Sequence, residues 1–181
     1  MKRKINVQMA VVRAQETSSS SSSTCRSSYT YDVFLSFRGE DTRTNFTDHL
    51  YTALVDKGIR MFRDYDEIER GKSLKPELEK AIKESRISLI VFSENYAISR
   101  WCLDELVMIL ECRKINSRHV VLPVFYDVSP SEVRKQTGTI GEAFDRYKEE
   151  LELLEKVKGW RAALKEVANL AGMELKNQAN R

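Results

Sequence analysis

The chain has 181 residues, of which 41% are hydrophobic and 31% charged, with a formal net charge of +3. That balance suits a single water-soluble core with a tail. It offers no case for nucleic-acid binding without excluding it, and no apolar run approaches the ~18 residues of a membrane-spanning helix.

The start, Met1-Lys2-Arg3-Lys4, is basic but no long apolar segment follows, which argues against a secretory signal. It reads as a solvated tail more readily than as a membrane or nuclear signal. Ser18 to Ser23 is an unbroken serine run flanked by Thr17 and Thr24. Such a stretch cannot bury a core, so residues 1–28 are expected to form a disordered tail, 29–175 the domain and 176–181 a linker stub.

From Tyr31 the pattern alternates between strand and helix. Tyr31 to Phe37 is a short aromatic and branched run stopped at Arg38-Gly39, a strand ended by a turn. Phe46, Leu50, Ala53 and Leu54 form a helical stripe, which Gly58 ends. Ile59 to Phe62 reads as a brief strand, followed by a long polar loop from Arg63 to Lys72. Leu74, Leu78, Ala81 and Ile82 give the next helical face, with Ser73 as N-cap and Pro76 tolerated in the first turn. Ile87 to Phe92 is a buried strand, Trp101 to Cys112 a helix, and Val120 to Tyr126 another strand. Pro123 lacks a ladder donor, which places it at an irregular position or near a sheet edge. Asp127 to Pro130 turns into helix, and two helical stretches, about Gly141–Leu154 and Glu155–Ala171, complete the domain. Strands separated by helices predict an α/β fold whose parallel sheet is covered on both faces. Sites in such folds lie at the carboxyl ends of the strands. Here that means Arg38 to Arg43, Arg63 to Lys72, and Ser93 to Glu105.

The Trp101 helix is unusual. Leu103, Leu106, Val107 and Leu110 make an ordinary core stripe, while Trp101, Glu105, Met108 and Cys112 fall together on the opposite face, at roughly 100° per residue. A carboxylate among Trp, Met and Cys either reaches water or sits in a partly apolar cleft, which is a site signature. The rival acid, Asp104, is about 100° away, off that face. Cys25, Cys102 and Cys112 are an odd count without metal spacing and read as free thiols of a reducing compartment. His49 lies beside the first helix's apolar stripe and reads as a surface or interface residue; His119 opens a strand and carries no functional signal. Asn45-Phe46-Thr47 matches a glycosylation sequon, a chance match in the absence of a secretion signal. The chain has no Gly-rich dinucleotide fingerprint, no phosphate-binding loop, no nucleophile elbow and no metal-ligand spacing.

Three motifs in order resemble those of plant TIR (Toll/interleukin-1 receptor) domains: Asp32-Val33-Phe34-Leu35-Ser36-Phe37-Arg38-Gly39-Glu40-Asp41-Thr42-Arg43, then Ser99-Arg100-Trp101-Cys102-Leu103-Asp104-Glu105-Leu106, then Val121 to Arg134. The resemblance covers Tyr31 to Leu175 and is to the N-terminal part of intracellular immune receptors. It implies a flavodoxin-like fold with a five-stranded parallel sheet; the fifth strand, not legible from pattern, is expected in the irregular region after Ser131. It also implies a cytoplasmic or nuclear location, self-association with other TIR domains, and cleavage of NAD+ or NADP+ to nicotinamide and ADP-ribose or cyclic variants, which triggers immune cell death. Glu105 matches the family's catalytic acid. Arg38, Gly39, Glu40, Asp41, Thr42, Arg43 and Gly71 match regions that contact the dinucleotide, and Trp101 an aromatic at the same cleft. Asp48-His49 stands where the family has a Ser-His interface pair, and the last helices, near Lys158, Gly159 and Trp160, are a second association candidate, with Trp160 read first as core. No metal or resident cofactor is implied; the dinucleotide is substrate. The readings that compete with this enzyme are an adaptor acting through TIR–TIR contact alone, a nucleic-acid processing activity and a flavin carrier.

Chemically, one carboxylate is adequate. Breaking the nicotinamide–ribose bond expels a neutral base, so no acid is needed, and a fixed anion stabilises the positive charge that develops on the ribose. Arg38 and Arg43 suit the pyrophosphate or a 2′-phosphate, or else pair with Glu40 or Asp41.

Overall fold

Strand and helix alternate in the computed structural model, which describes residues 10, 11, 13, 29–63, 74–148 and 150–176. The strands β1 (Tyr31–Phe37), β2 (Met61–Arg63), β3 (Ser85–Phe92), β4 (Val120–Tyr126) and β5 (Met173–Leu175) form one parallel sheet in the order β2-β1-β3-β4-β5. Helix α1 (Gly39–Thr42) passes through a π turn (Arg43–Thr47) into α2 (Asp48–Val55). The others are α3 (Leu74–Lys83), α4 (Arg100–Ile115), α5 (Pro130–Lys135), α6 (Gly138–Tyr147) and α7 (Leu154–Val167).

Strand alternation sorts the core into two layers. Val33, Leu35 and Phe37 of β1, with Ile87, Leu89 and Val91 of β3, pack against Phe46, Leu50 and Leu54. Phe34, Ile90 and Phe92 face the other way, onto Leu78, Ile82, Leu103, Leu106, Trp160 and Leu164. Each such side chain, fully buried, contributes about 1.5–3 kcal/mol, which is why both faces of the sheet need helical cover. Ser36 and Ser88 belong by alternation to the α4 side and are buried there. His119, just before β4, serves Ser88: it is 2% exposed, its Nδ1 lies 3.0 Å from the Ser85 carbonyl and its Nε2 2.9 Å from Ser88 Oγ. A carbonyl only accepts, so Nδ1 carries the proton and Ser88 donates to Nε2. The histidine that carried no signal in the sequence thus clips β3 to the start of β4.

β4 is bordered by β5 only from Val124 onward, so Val120–Pro123 forms the sheet edge and Pro123 forfeits no ladder bond on that side. The fifth strand is three residues long and follows the last helix. It approaches closely because Gly172 precedes it: a Cβ there would lie 2.7 Å from the Pro123 carbonyl oxygen and 2.8 Å from Phe125 Cε2. Local stops also follow the sequence. Gly58 takes φ +76° after α2, and Ser129 and Glu132 form a reciprocal capping box at α5. β2 is shifted to Met61–Arg63, and the final helices are shorter than expected, at Gly138–Tyr147 and Leu154–Val167. Most of the expected tail, most of the Arg63–Lys72 loop, Ser73 and Cys25 lie outside the described residues. Of the tail, Ala10, Val11 and Arg13 are described as helical, and Val11 is wholly buried in the layer formed with α2.

Candidate active site

β1 and β3 are neighbours, but the chain leaves β1 toward one sheet face and β3 toward the other, so a crevice opens between their carboxyl ends. It is a cleft of about 600 Å³. One wall comes from the end of β1 and the turn after it, Phe37, Arg38, Gly39, Glu40, Arg43 and Thr44; the other from the start of α4, Ile98, Ser99, Trp101 and Cys102.

The first wall is held by its own charges. Arg38, whose side chain is 17% exposed, forms ion pairs with both Glu40 and Asp41. Asp41 also accepts a hydrogen bond from Ser93 just after β3, which ties the two strand ends together. Thr42 is buried and donates to the Arg38 carbonyl at 3.4 Å, while Thr47 donates to Thr42 at 2.6 Å. Asp41 and Thr42 therefore brace the turn rather than line the cleft. The Arg43 guanidinium lies 5.5 Å from the Phe37 ring centroid, and a Cβ on Gly39 would come within 3.0 Å of Arg43 Nε, so the glycine makes room for the arginine. Gly71 lies outside the described residues.

The second wall begins with Ser99, the N-cap of α4, which accepts from the Cys102 amide at 3.3 Å. Ahead of it, the single turn Tyr96–Ile98 is pinned by Tyr147 of α6, which donates to the carbonyls of Ala97 and Ile98 at 3.0 and 2.6 Å. Trp101 is half-buried at the cleft. Cys102 and Cys112 are free thiols, both buried; burial pushes the Cys112 thiol up, away from the reactive thiolate.

α4 departs from the expected two-faced helix. Ile109 and Cys112 are buried along with Leu103, Leu106 and Leu110, and Met108 is only partly exposed, because the helix packs on the sheet, α3 and α7 at once. Glu105 thus has no solvent to reach: it is 2% exposed. Its Oε2 accepts from Ser36 Oγ at 2.7 Å, and it is not among the residues lining the cleft. The Tyr96 hydroxyl completes the cluster, 3.2 Å from Ser36 Oγ and 3.0 Å from the Cys102 carbonyl. Sequence reasoning missed Ser36 and Tyr96; the available signal was a lone serine inside an apolar strand. Asp104, the rival acid, accepts from Trp160 Nε1 at 2.8 Å and from Lys156 at 2.9 Å, which places Trp160 in the core and gives Asp104 a structural job.

The association candidates fall on opposite sides of the sheet. On α2, Asp48 pairs with Arg63 at 2.8 Å and His49 is exposed. On α7, Lys158 pairs with Glu155 at 2.7 Å, and Gly159 is exposed with open space where a Cβ would project. Among the described residues, no group of three or more His, Cys, Asp or Glu is placed to hold a metal ion, and no helix is long and apolar enough to cross a membrane.

The TIR domain family profile matches residues 30–181. The chain belongs to the TIR family. This TIR domain is 61% identical over 159 residues to disease resistance protein RPV1 of Vitis rotundifolia, an alignment spanning 88% of this chain and 11% of that protein. It is 52% identical over 155 residues to TMV resistance protein N of Nicotiana glutinosa, spanning 83% of this chain and 13% of that protein. The TIR domain therefore spans about a tenth of the length of these curated relatives. Among solved structures it resembles the TIR domains of the activated Roq1 resistosome, which directly recognizes the pathogen effector XopQ. The TM-score is 0.77 and the identity 53%, covering 83% of this chain and 91% of that one.

Proposed function

We propose that this TIR domain is the signalling part of a cytoplasmic or nuclear plant disease-resistance receptor, and that its assembled form cleaves NAD+ or NADP+ at the nicotinamide–ribose bond. The observation that carries the reading is the buried Glu105 held directly behind a cleft whose walls offer two arginines and a tryptophan. Arg43 pairs with the pyrophosphate, Arg38 joins it by exchanging its exposed partner Glu40, and Trp101 stacks on a ring of the dinucleotide. The C1′–N bond breaks with its electron pair going to the nicotinamide nitrogen, which leaves neutral. Glu105 stabilises the resulting oxocarbenium charge and orients the ribose hydroxyls. Water adds at C1′ with loss of a proton to give ADP-ribose; an adenine nitrogen adding instead gives a cyclic product.

Glu105 is shut off from the cleft by its own wall, so the wall must shift before the acid meets substrate. Assembly supplies that shift. The α2 and α7 surfaces, on opposite sides of the sheet, suit a heterologous array of copies in which each protomer meets two neighbours. The names of its relatives, and the resistosome its fold resembles, support the immune role.

The test is nicotinamide release from NAD+ by concentrated protein, beside Glu105→Ala. We expect release that rises faster than in proportion to protein concentration and that falls at least about a hundredfold in the folded variant. Equal release by parent and variant refutes the assignment of Glu105. No release from either, under conditions where the protein assembles, favours a TIR–TIR adaptor, a reading consistent with the closed wall.

A further inference from the structure

The Ser36 hydroxyl has one proton, and the distances decide where it goes. Glu105 Oε2 is 2.7 Å away and the Tyr96 hydroxyl oxygen 3.2 Å. Tyr96 points its own proton at the Cys102 carbonyl, 3.0 Å away, and shares it with the Ser36 oxygen as a three-centre bond. Ser36 therefore donates to Glu105 Oε2. Tyr96 backs Ser36 from the other side, and is itself fixed by full burial and by edge contact with the Phe92 ring, centroids 4.7 Å apart.

Ser36 also stands in a telling place along β1. The next residue, Phe37, lines the cleft, and its carbonyl accepts from Cys102 Sγ at 3.6 Å; the one after, Arg38, lines it too. The strand that builds one wall thus grips α4 twice, at Cys102 and, one turn further along, at Glu105. The distance from that wall to the acid is set by a β-strand rather than by a loop, the arrangement that keeps a reacting group on target. Misplacing a catalytic group by about an ångström costs on the order of a hundredfold in rate.

We propose that Ser36 is a positioning residue of Glu105: it holds the carboxyl group in one rotamer against β1, with Tyr96 as its brace. This rests on the reading of Glu105 as the acid that acts on the dinucleotide.

The experiment compares nicotinamide release by Ser36→Ala, Ser36→Thr, Tyr96→Phe and Glu105→Ala with the parent over a range of NAD+ concentrations. Ser36 does not line the cleft, so Ser36→Ala should lower kcat by about tenfold to a hundredfold, the usual scale for a residue acting through another. KM should stay within about twofold, the signature of an interaction realised in the transition state. Ser36→Thr, which keeps the hydroxyl on a residue suited to a strand, should recover most of the loss, and Tyr96→Phe should sit between parent and Ser36→Ala. If Glu105→Ala is inactive while Ser36→Ala keeps the parent's kcat, or changes KM alone, the positioning role is wrong and the function stands. If the parent releases no nicotinamide, the function falls, and melting temperatures of Ser36→Ala, Glu105→Gln and the double variant decide the pair: additive shifts overturn the coupling of Ser36 to Glu105, non-additive shifts uphold it.

Discussion

Adjacent carboxylates on α4 have been given opposite jobs, and Asp104→Ala separates them. Asp104 is the acceptor for Trp160 Nε1, and Trp160 is 1% exposed, so truncation removes the charged acceptor of a largely buried N–H. Leaving such a donor unsatisfied costs about 1–3 kcal/mol. The ion pair with Lys156 adds little, because the two side chains are 37% and 55% exposed, and such pairs contribute about 0–1 kcal/mol. The sum is about 1–3 kcal/mol, which for a domain of this size lowers the melting temperature by about 3–10 °C. Differential scanning calorimetry measures it. In a Trp160→Phe background the same substitution should cost only the ion pair, since the N–H is already gone. Nicotinamide release per folded molecule, assayed well below the melting temperature, should be within about threefold of the parent, because the group touches no reacting atom. An unshifted melting temperature would refute the clamp. Folded Asp104→Ala that has lost nicotinamide release would refute the division of labour and move the acid from Glu105 to Asp104.

Two further predictions concern the sheet. Burial holds His119 below its ordinary value, against a smaller opposing effect of its bond to the Ser85 carbonyl. Between that lowered value and 6.5 the unfolded chain binds more protons than the folded one, so stability is full above 6.5 and is lost as the pH falls below it. Urea midpoints at pH 7 and 5.5 should differ in the parent and differ less in His119→Gln; equal slopes would remove His119 as the cause. Gly172→Ala places a methyl against the Pro123 carbonyl and the Phe125 ring, and should cost about 1–3 kcal/mol by overpacking or loss of β5 pairing. A urea midpoint equal to the parent's would show that β5 does not need the close approach.

The sequence was most legible where one force decided the outcome. β1 and β4 have the expected bounds because largely apolar runs end abruptly at Arg38 and Asp127. β5 was not legible: three residues carry no period, and its place depends on Gly172 meeting a carbonyl from a strand some fifty positions earlier. On α4 the periodicity assigned the core stripe but misjudged the other side, because a helix touching three neighbours keeps only a narrow solvent stripe, at Arg100, Glu111 and Lys114. Glu105 stood out in the sequence as an acid among apolar residues, but Ser36 took its meaning only once β1 and α4 were side by side. The pairing of Arg38 with Glu40 and Asp41 followed from their spacing, whereas the bond from Ser93 to Asp41 needed the strand ends together.

The π turn between α1 and α2 has a consequence for how such a cleft diversifies. A π turn holds one residue more than the α-helical path it replaces. Everything before it is thereby rotated by about 100° relative to everything after it. Phe46, within the turn, and Leu50 and Leu54 after it anchor the core side, while Arg43, which opens the turn, faces the cleft. A single insertion or deletion at Thr44–Asn45 would swing Arg43 round the helix axis relative to Phe46, while Arg38 stays fixed at the end of β1. The segment is a built-in dial for Arg43: a change in its length re-aims that guanidinium across the cleft, and the sheet beneath need not change.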